Sequence, residues 1–172
     1  SQLNGASAVT LETWMKPTSY PGGTSRERMI SIHLADGYSG SLLSTYGDNR
    51  VEVAGRSGTG DSLQTATYAL PEPNSWHHVI GIFDYPNDQI KIYVDGELAV
   101  TQAVTFTNSV YTAGTPTNNY DTFGSYKTAG SGDFYDGLLD STKIYNLALT
   151  DDQVKTAYNQ GMSGTFGSTG TD

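Results

Sequence analysis

Three strand-like runs separated by two turn signals occupy residues 76 to 100, and this stretch decides most of what the chain can fold into. Trp76-His77-His78-Val79-Ile80-Gly81-Ile82-Phe83 stays largely apolar until Pro86-Asn87-Asp88, where proline removes a ladder donor and Asn and Asp accept turn geometry. Ile90, Ile92 and Val94 then alternate with Lys91, Tyr93 and Asp95, the period of a half-buried strand. Asp95-Gly96 follows, and it suits a two-residue type I′ hairpin turn because both central residues of that turn need positive φ. The stretch predicts an antiparallel meander.

The rest of the chain repeats this grammar. Val9, Leu11 and Met15 fall on one face of a strand and Trp14 on the other. From Arg28 to Leu34, Met29, Ser31 and His33 alternate with Ile30, Ile32 and Leu34. Further short strands are expected near residues 42–46, 50–54, 63–69, 99–106, 122–126 and 138–145, with Gly, Asn, Asp and Pro clusters between them. One helix is expected after Thr150. That residue is a good N-cap, Gln153 completes a capping box, and Asp151 and Asp152 suit the positive end of the helix dipole. Val154, Ala157 and Tyr158 give it an apolar stripe, and Gly161 reads as its C′ stop. The fold class is all-β, a two-sheet antiparallel jelly-roll sandwich with one short C-terminal helix. Residues 1–161 form the domain, and residues 162–172, mostly Gly, Ser and Thr around Phe166, read as a tail or linker.

Bulk properties narrow the partners. A chain of 172 residues buries one core. Its net charge of −9 argues against nucleic acid and anionic membrane surfaces, which need a cationic face. With no cysteine, disulfides, thiolate chemistry and Cys-ligated zinc are excluded. Runs such as Val79 to Phe83 are too short to span a bilayer, so no membrane insertion is expected. No signal-peptide pattern opens the chain, and the expectation is that a leader has been removed or that the domain belongs to something longer.

Trp76-His77-His78-Val79 and Lys91-Ile92-Tyr93-Val94-Asp95-Gly96-Glu97-Leu98 resemble the centre of the laminin-G-like, concanavalin-A-like jelly-roll domains. Val9 to Pro17 resembles the opening Trp-containing strand of that family. Asp136-Gly137-Leu138-Leu139-Asp140, with Lys143 to Leu149, resembles its closing strand. The resemblance covers residues 8 to 161 and implies the fold. For function it implies a range, since the family hosts lectins, adhesion modules, spacers and glycosidases. It also implies that His78 packs inside with a hydrogen bond to backbone, and that calcium is held at the sandwich rim in many members.

Candidate sites follow from residue chemistry. Retaining glycosidases on such a scaffold place paired glutamates on one strand face. Glu12, Glu27, Glu52, Glu72 and Glu97 show no such spacing, so no catalytic residues are assigned and the chain reads as a non-enzyme. His77 and His78 are adjacent on a strand and point to opposite faces, which keeps them from sharing one metal ion. Asp133, Asp136 and Asp140 cluster around a Gly-rich turn and are the expected calcium ligands, since calcium takes six to eight oxygens. Sugars need aromatic faces beside hydrogen-bonding side chains. Tyr38, Tyr46, Asp48, Asn49, Tyr111, Asn119, Tyr120 and Tyr126 supply them from loops and strand ends, and Arg26 and Arg28 suit an acidic sugar. The expected function is recognition of surface glycans, with calcium as cofactor, on an extracellular, cell-surface or virion-borne protein. The alternative is a decoration or spacer domain of a virion, tail fibre or bacterial adhesin, working through contacts with other subunits.

Overall fold

The computed structural model describes residues 3–35, 38–47, 49–70, 72–114, 121–126 and 132–165, without the side chains at 35, 38 and 161–165. The strands are β1 (Ala8–Pro17), β2 (Arg26–Ala35), β3 (Tyr38–Tyr46), β4 (Arg50–Gly55), β5 (Gln64–Ala69), β6 (His77–Asp84), β7 (Gln89–Val94), β8 (Glu97–Ala103), β9 (Thr122–Phe123) and β10 (Gly137–Tyr145). Helix α1 (Asp151–Thr165) closes the sequence of elements. Sheet A has the order β10-β1-β6-β7-β8 and sheet B the order β5-β4-β3-β2-β9, each five-stranded, with antiparallel pairing throughout. The jelly-roll sandwich expected from the sequence is the fold observed.

The central meander forms as its turn chemistry dictates. β6, β7 and β8 are neighbours, with Val79 opposite Val94 and Val94 opposite Glu97. Asp95 and Gly96 adopt φ of 51° and 83°, the left-handed pair that a two-residue hairpin requires. Between the sheets lie Val9, Leu11 and Met15 of β1, Val79 and Phe83 of β6, and Ile90 and Ile92 of β7. They meet Ile30, Ile32, Leu34, Leu43, Val51 and Val53 of sheet B. Gly81 lets the layers approach, since a Cβ there would come within 2.6 Å of a Val53 methyl. Two strands stop short of their expected ends, β9 doing so at Phe123. β8 stops at Ala103, and the Phe106 amide instead donates to the Asp88 carboxylate at 2.8 Å, which turns the chain away from the sheet.

Helix α1 starts as expected. The Thr150 amide donates to Gln153 Oε1 at 2.9 Å, and the Gln153 amide donates to Thr150 Oγ1 at 3.3 Å, a reciprocal capping box. It does not stop at Gly161 but runs on to Thr165, because one interior glycine costs a helix only about 1 kcal/mol. Among the described residues no helix is long and apolar enough to cross a membrane.

Candidate functional site

The two outer faces of the sandwich differ in what covers them. On sheet A, Ile80, Ile82 and Tyr93 point away from the core and are packed by Val154 of α1 and by Leu149. Trp14, His78 and Tyr158 form an aromatic cluster beside them, with centroid separations of 5.1, 5.6 and 5.9 Å. Beneath lies Glu12, fully buried, which accepts from Lys143 Nζ at 2.7 Å and Tyr145 Oη at 2.6 Å and pairs with His78 Nε2 at 3.3 Å. Burial alone would raise its carboxyl. The bonds from His78, Lys143 and Tyr145 outweigh burial and hold it at about 2. This face is filled by the protein's own helix.

Sheet B presents a polar outer face. Ile30, Ile32, Leu43, Val51 and Val53 turn inward, and a bulge at Met29, between Arg28 and Ile30, resets the alternation so that Arg26 and Arg28 face outward with Ser31 and His33. Ser44 and Tyr46 of β3 and Arg50 and Glu52 of β4 share that side. Two arginines are built into it. Arg28 donates from Nε to Asp133 Oδ2 at 3.0 Å and from Nη1 to Ser39 Oγ at 3.2 Å, and its guanidinium lies 4.1 Å from the centroid of the Tyr126 ring. Tyr126 also reaches His33, at 5.6 Å between centroids. Arg26 grips Glu52 in a fork, with Nη2 to Oε1 at 2.8 Å and Nε to Oε2, and lies 4.9 Å over the Tyr46 ring. Its bond to the Glu52 carboxylate raises the Arg26 guanidinium above its ordinary value. Such charge-assisted, bidentate and ring-stacked contacts fix each guanidinium plane.

The rim beside Arg28 is apolar and open. Phe123 is 58% exposed and Phe134 56% exposed. Their segments are tied to β2 and to each other: the Gly124 amide donates to Met29 O, the Arg28 amide to Asp133 O and the Tyr135 amide to Gly124 O, each at 2.9 Å. Exposed rings beside fixed donors and carboxylates can stack on the C–H face of a sugar while bonding its hydroxyls.

Of the residues singled out from sequence, Arg26, Arg28, Tyr46 and Tyr126 come together on this face, and Asp133 joins them as the partner of Arg28. Asn49 sits in the β3–β4 turn with φ of 54°, and its carbonyl accepts from the Leu70 amide at 2.7 Å. The Tyr38 side chain, Asp48, Asn119 and Tyr120 lie outside the described residues. Tyr111 is corrected: it is fully buried between the sheets, 6.2 Å from Tyr85, with its hydroxyl in space that a Cβ on Gly40 would fill. Burying that ring gains more than exposing it, so the chain turns inward at Tyr111 and that residue offers no ligand surface.

The three aspartates assigned to calcium have separate partners. Asp133 is bound to Arg28, Asp136 accepts from Ser19 Oγ at 3.0 Å, and Asp140 accepts from the Ser141 amide at 2.7 Å. Among the described residues no three His, Asp or Glu side chains gather as metal ligands, so the trio does not fit calcium as a set. His77 and His78 do part to opposite faces. His77 Nδ1 pairs with Asp95 at 2.9 Å, and His78 is buried but bonds the Glu12 carboxylate rather than backbone. Glu12 and Glu52, the buried glutamates, lie on opposite outer faces of the sandwich and cannot flank one glycosidic bond. A cleft of about 310 Å³ lined by Tyr68, His77, Asp95 and Leu98 occupies the β5–β8 edge, away from the β2–β9 edge that carries Arg28. Sequence reading missed Phe123, Phe134, Arg50 and Glu52. The signal for the two Phe was there, an aromatic beside glycine or aspartate in Thr122-Phe123-Gly124 and Asp133-Phe134-Tyr135.

A jelly-roll sandwich with a helix over one sheet, fixed arginines on the outer face of the other and exposed rings at its rim has a lectin-like fold. The laminin G family model described as the concanavalin A-like lectin/glucanases superfamily matches residues 1–155, and the chain belongs to that family. Comparison with curated proteins gives no match. Among solved structures, the chain resembles the binding domain of botulinum neurotoxin DC in complex with rat synaptotagmin II, at 16% identity and a TM-score of 0.65. It resembles at 17% identity and the same TM-score a botulinum neurotoxin type C structure concerned with two ganglioside molecules. In both cases 89% of this chain covers 35% of the other, so it spans about a third of those toxin chains. A heptameric SAP-like pentraxin from Limulus polyphemus matches at 18% identity and a TM-score of 0.65, over 90% of this chain and 71% of that one. These likenesses are likenesses of fold.

Proposed function

We propose that this chain is a non-catalytic carbohydrate-binding domain that works outside the cell, recognising glycans on a surface through the outer face and β9 rim of sheet B. One observation carries the reading: the Arg28 guanidinium is held between the Tyr126 ring, Asp133 and Ser39, and the segments paired with β2 next to it carry Phe123 and Phe134, each more than half exposed. Two large rings open to water at one rim give a sugar apolar surface to stack on. The neighbouring toxin structures, one of them concerned with gangliosides, share the fold and support a binding role without naming this chain's sugar. The three aspartates are engaged by separate protein partners, which supports sugar binding that is independent of calcium.

A glycan array at high protein concentration, followed by titration calorimetry on the hits, tests the reading. Binding is expected, and Phe134→Ala is expected to weaken it about tenfold, the equivalent of roughly 1.4 kcal/mol. An array that stays silent with and without calcium would sink the proposal. A multimer in light scattering that binds no sugar and covers Phe123 and Phe134 would instead favour the structural module.

A further inference from the structure

Among the described residues the cations are sorted by type. Arg26 and Arg28 lie on β2, Arg50 opens β4 and Arg56 follows its last residue, whereas Lys16, Lys91 and Lys143 lie on sheet A and Lys155 on α1. Two of these arginines share one cross-strand row, in which Arg26 is opposite Tyr46 and Tyr46 is opposite Arg50. Directly opposed side chains on neighbouring strands begin about 5 Å apart, so the three side chains leave the sheet in one row spanning roughly 10 Å, with the Arg26 guanidinium already over the Tyr46 ring.

Within the row the two arginines are used differently. Arg26 spends its Nε and one Nη2 proton on Glu52, and its Nη1 makes no bond among the described residues. Arg50 is exposed and enters no ion pair among the described residues. Glu52 makes its ion pair with Arg26, and Arg50 leaves its whole fork available among the described residues. Lysine would keep strand solubility as well, but only arginine offers a planar fork matched to a carboxylate or sulfate. On a protein of net charge −9, an anionic ligand is repelled unless such a fork receives it.

Building on the carbohydrate reading, we propose that the Arg26–Tyr46–Arg50 row selects glycans bearing an anionic group, a carboxylate or a sulfate ester. Arg50 is the principal contact, Arg26 adds its remaining donors, and the Tyr46 ring takes the C–H face of the same residue.

Calorimetry with uronic-acid oligosaccharides, sulfated heparin fragments and neutral cello- and manno-oligosaccharides tests this, at about 50 mM and about 500 mM NaCl. One anionic set is expected to bind at least about tenfold tighter than the neutral sets and to lose much of that advantage in the higher salt. The two anionic arms decide between carboxylate and sulfate. Arg50→Gln is expected to remove about tenfold of affinity for the anionic set alone, with Arg50→Lys restoring only part. Arg50 is exposed, so both variants keep the fold, which their melting curves check. Neutral sugars bound as tightly as acidic ones, with Arg50→Gln unchanged, would overturn the selectivity and leave sugar binding standing. No binding by any set would overturn both.

Discussion

Trp14 and Tyr158 stack with ring centroids 5.6 Å apart and planes 16° from parallel, although 144 positions separate them by number (158 − 14 = 144). That contact docks α1 on sheet A and so decides which outer face a ligand can reach. Two further ties hold the helix in register. Tyr93 Oη donates to Asp151 Oδ1 at 2.7 Å, at the positive end of the helix, and Val154 is fully buried against Ile80 and Ile82. With sheet A roofed in this way, the proposed recognition falls to sheet B.

Replacing Tyr158 with alanine separates the two faces experimentally. The variant loses the stack on Trp14 and the packing over the β7–β8 hairpin, and is expected to be less stable by about 1–3 kcal/mol. Urea denaturation measures that loss. Sugar affinity is expected to stay within about twofold of the parent, because the ring lies on the opposite side of the sandwich from Arg28. A large fall in affinity without unfolding would mean that the ligand sits on the helix side.

Glu12 makes a prediction about acid. Its folded value of about 2 lies below its ordinary 4.5, so the unfolded chain takes up the proton first as pH falls. The stabilisation is complete above about pH 4.5 and is lost progressively toward pH 2, a difference on the order of 3 kcal/mol. Glu12→Gln is expected to lower stability at neutral pH and to flatten the dependence between those limits. Guanidinium unfolding of both proteins at several pH values checks it. Parallel curves for the two would show that another carboxylate governs the acid limb.

Gly96→Ala tests the hairpin on which the fold rests. A side chain there meets two obstacles at once, a φ of 83° and the Tyr158 ring within 2.9 Å of the new Cβ. The expected cost is about 1–3 kcal/mol, the sum of backbone strain and a displaced ring. Tryptophan fluorescence should report it, since Trp14 lies against the same tyrosine. A melting temperature unchanged from the parent would mean that the helix can ride outward at no cost.

The architecture was legible because strand periodicity and turn chemistry are local. Ile90, Ile92 and Val94 announce a buried face by spacing alone, and Asp95-Gly96 announces a turn by the φ it tolerates. The site was legible only in part. Arg26, Arg28, Tyr46 and Tyr126 were found as residue types, but their convergence depends on β9 returning beside β2, with Phe123 opposite Ile30. Nothing local encodes that pairing. The same blindness misplaced Tyr111, whose burial is decided by Tyr85 and Gly40. Asp133 shows the limit most clearly. In sequence it belongs with Asp136 and Asp140, and in space it belongs with a residue more than a hundred positions away.

That reassignment yields the prediction for calcium. The Asp133 carboxylate is already paired with Arg28, and an ion taking its place would leave the Arg28 Nε without its acceptor, a cost of about 1–3 kcal/mol. EDTA treatment is therefore expected to change neither melting temperature nor sugar affinity. Asp133→Ala is expected to weaken sugar binding by freeing Arg28, with or without calcium. Calorimetric heat on adding calcium, together with a rise in melting temperature that Asp133→Ala abolishes, would return Asp133 to a metal site and remove its role as the anchor of Arg28.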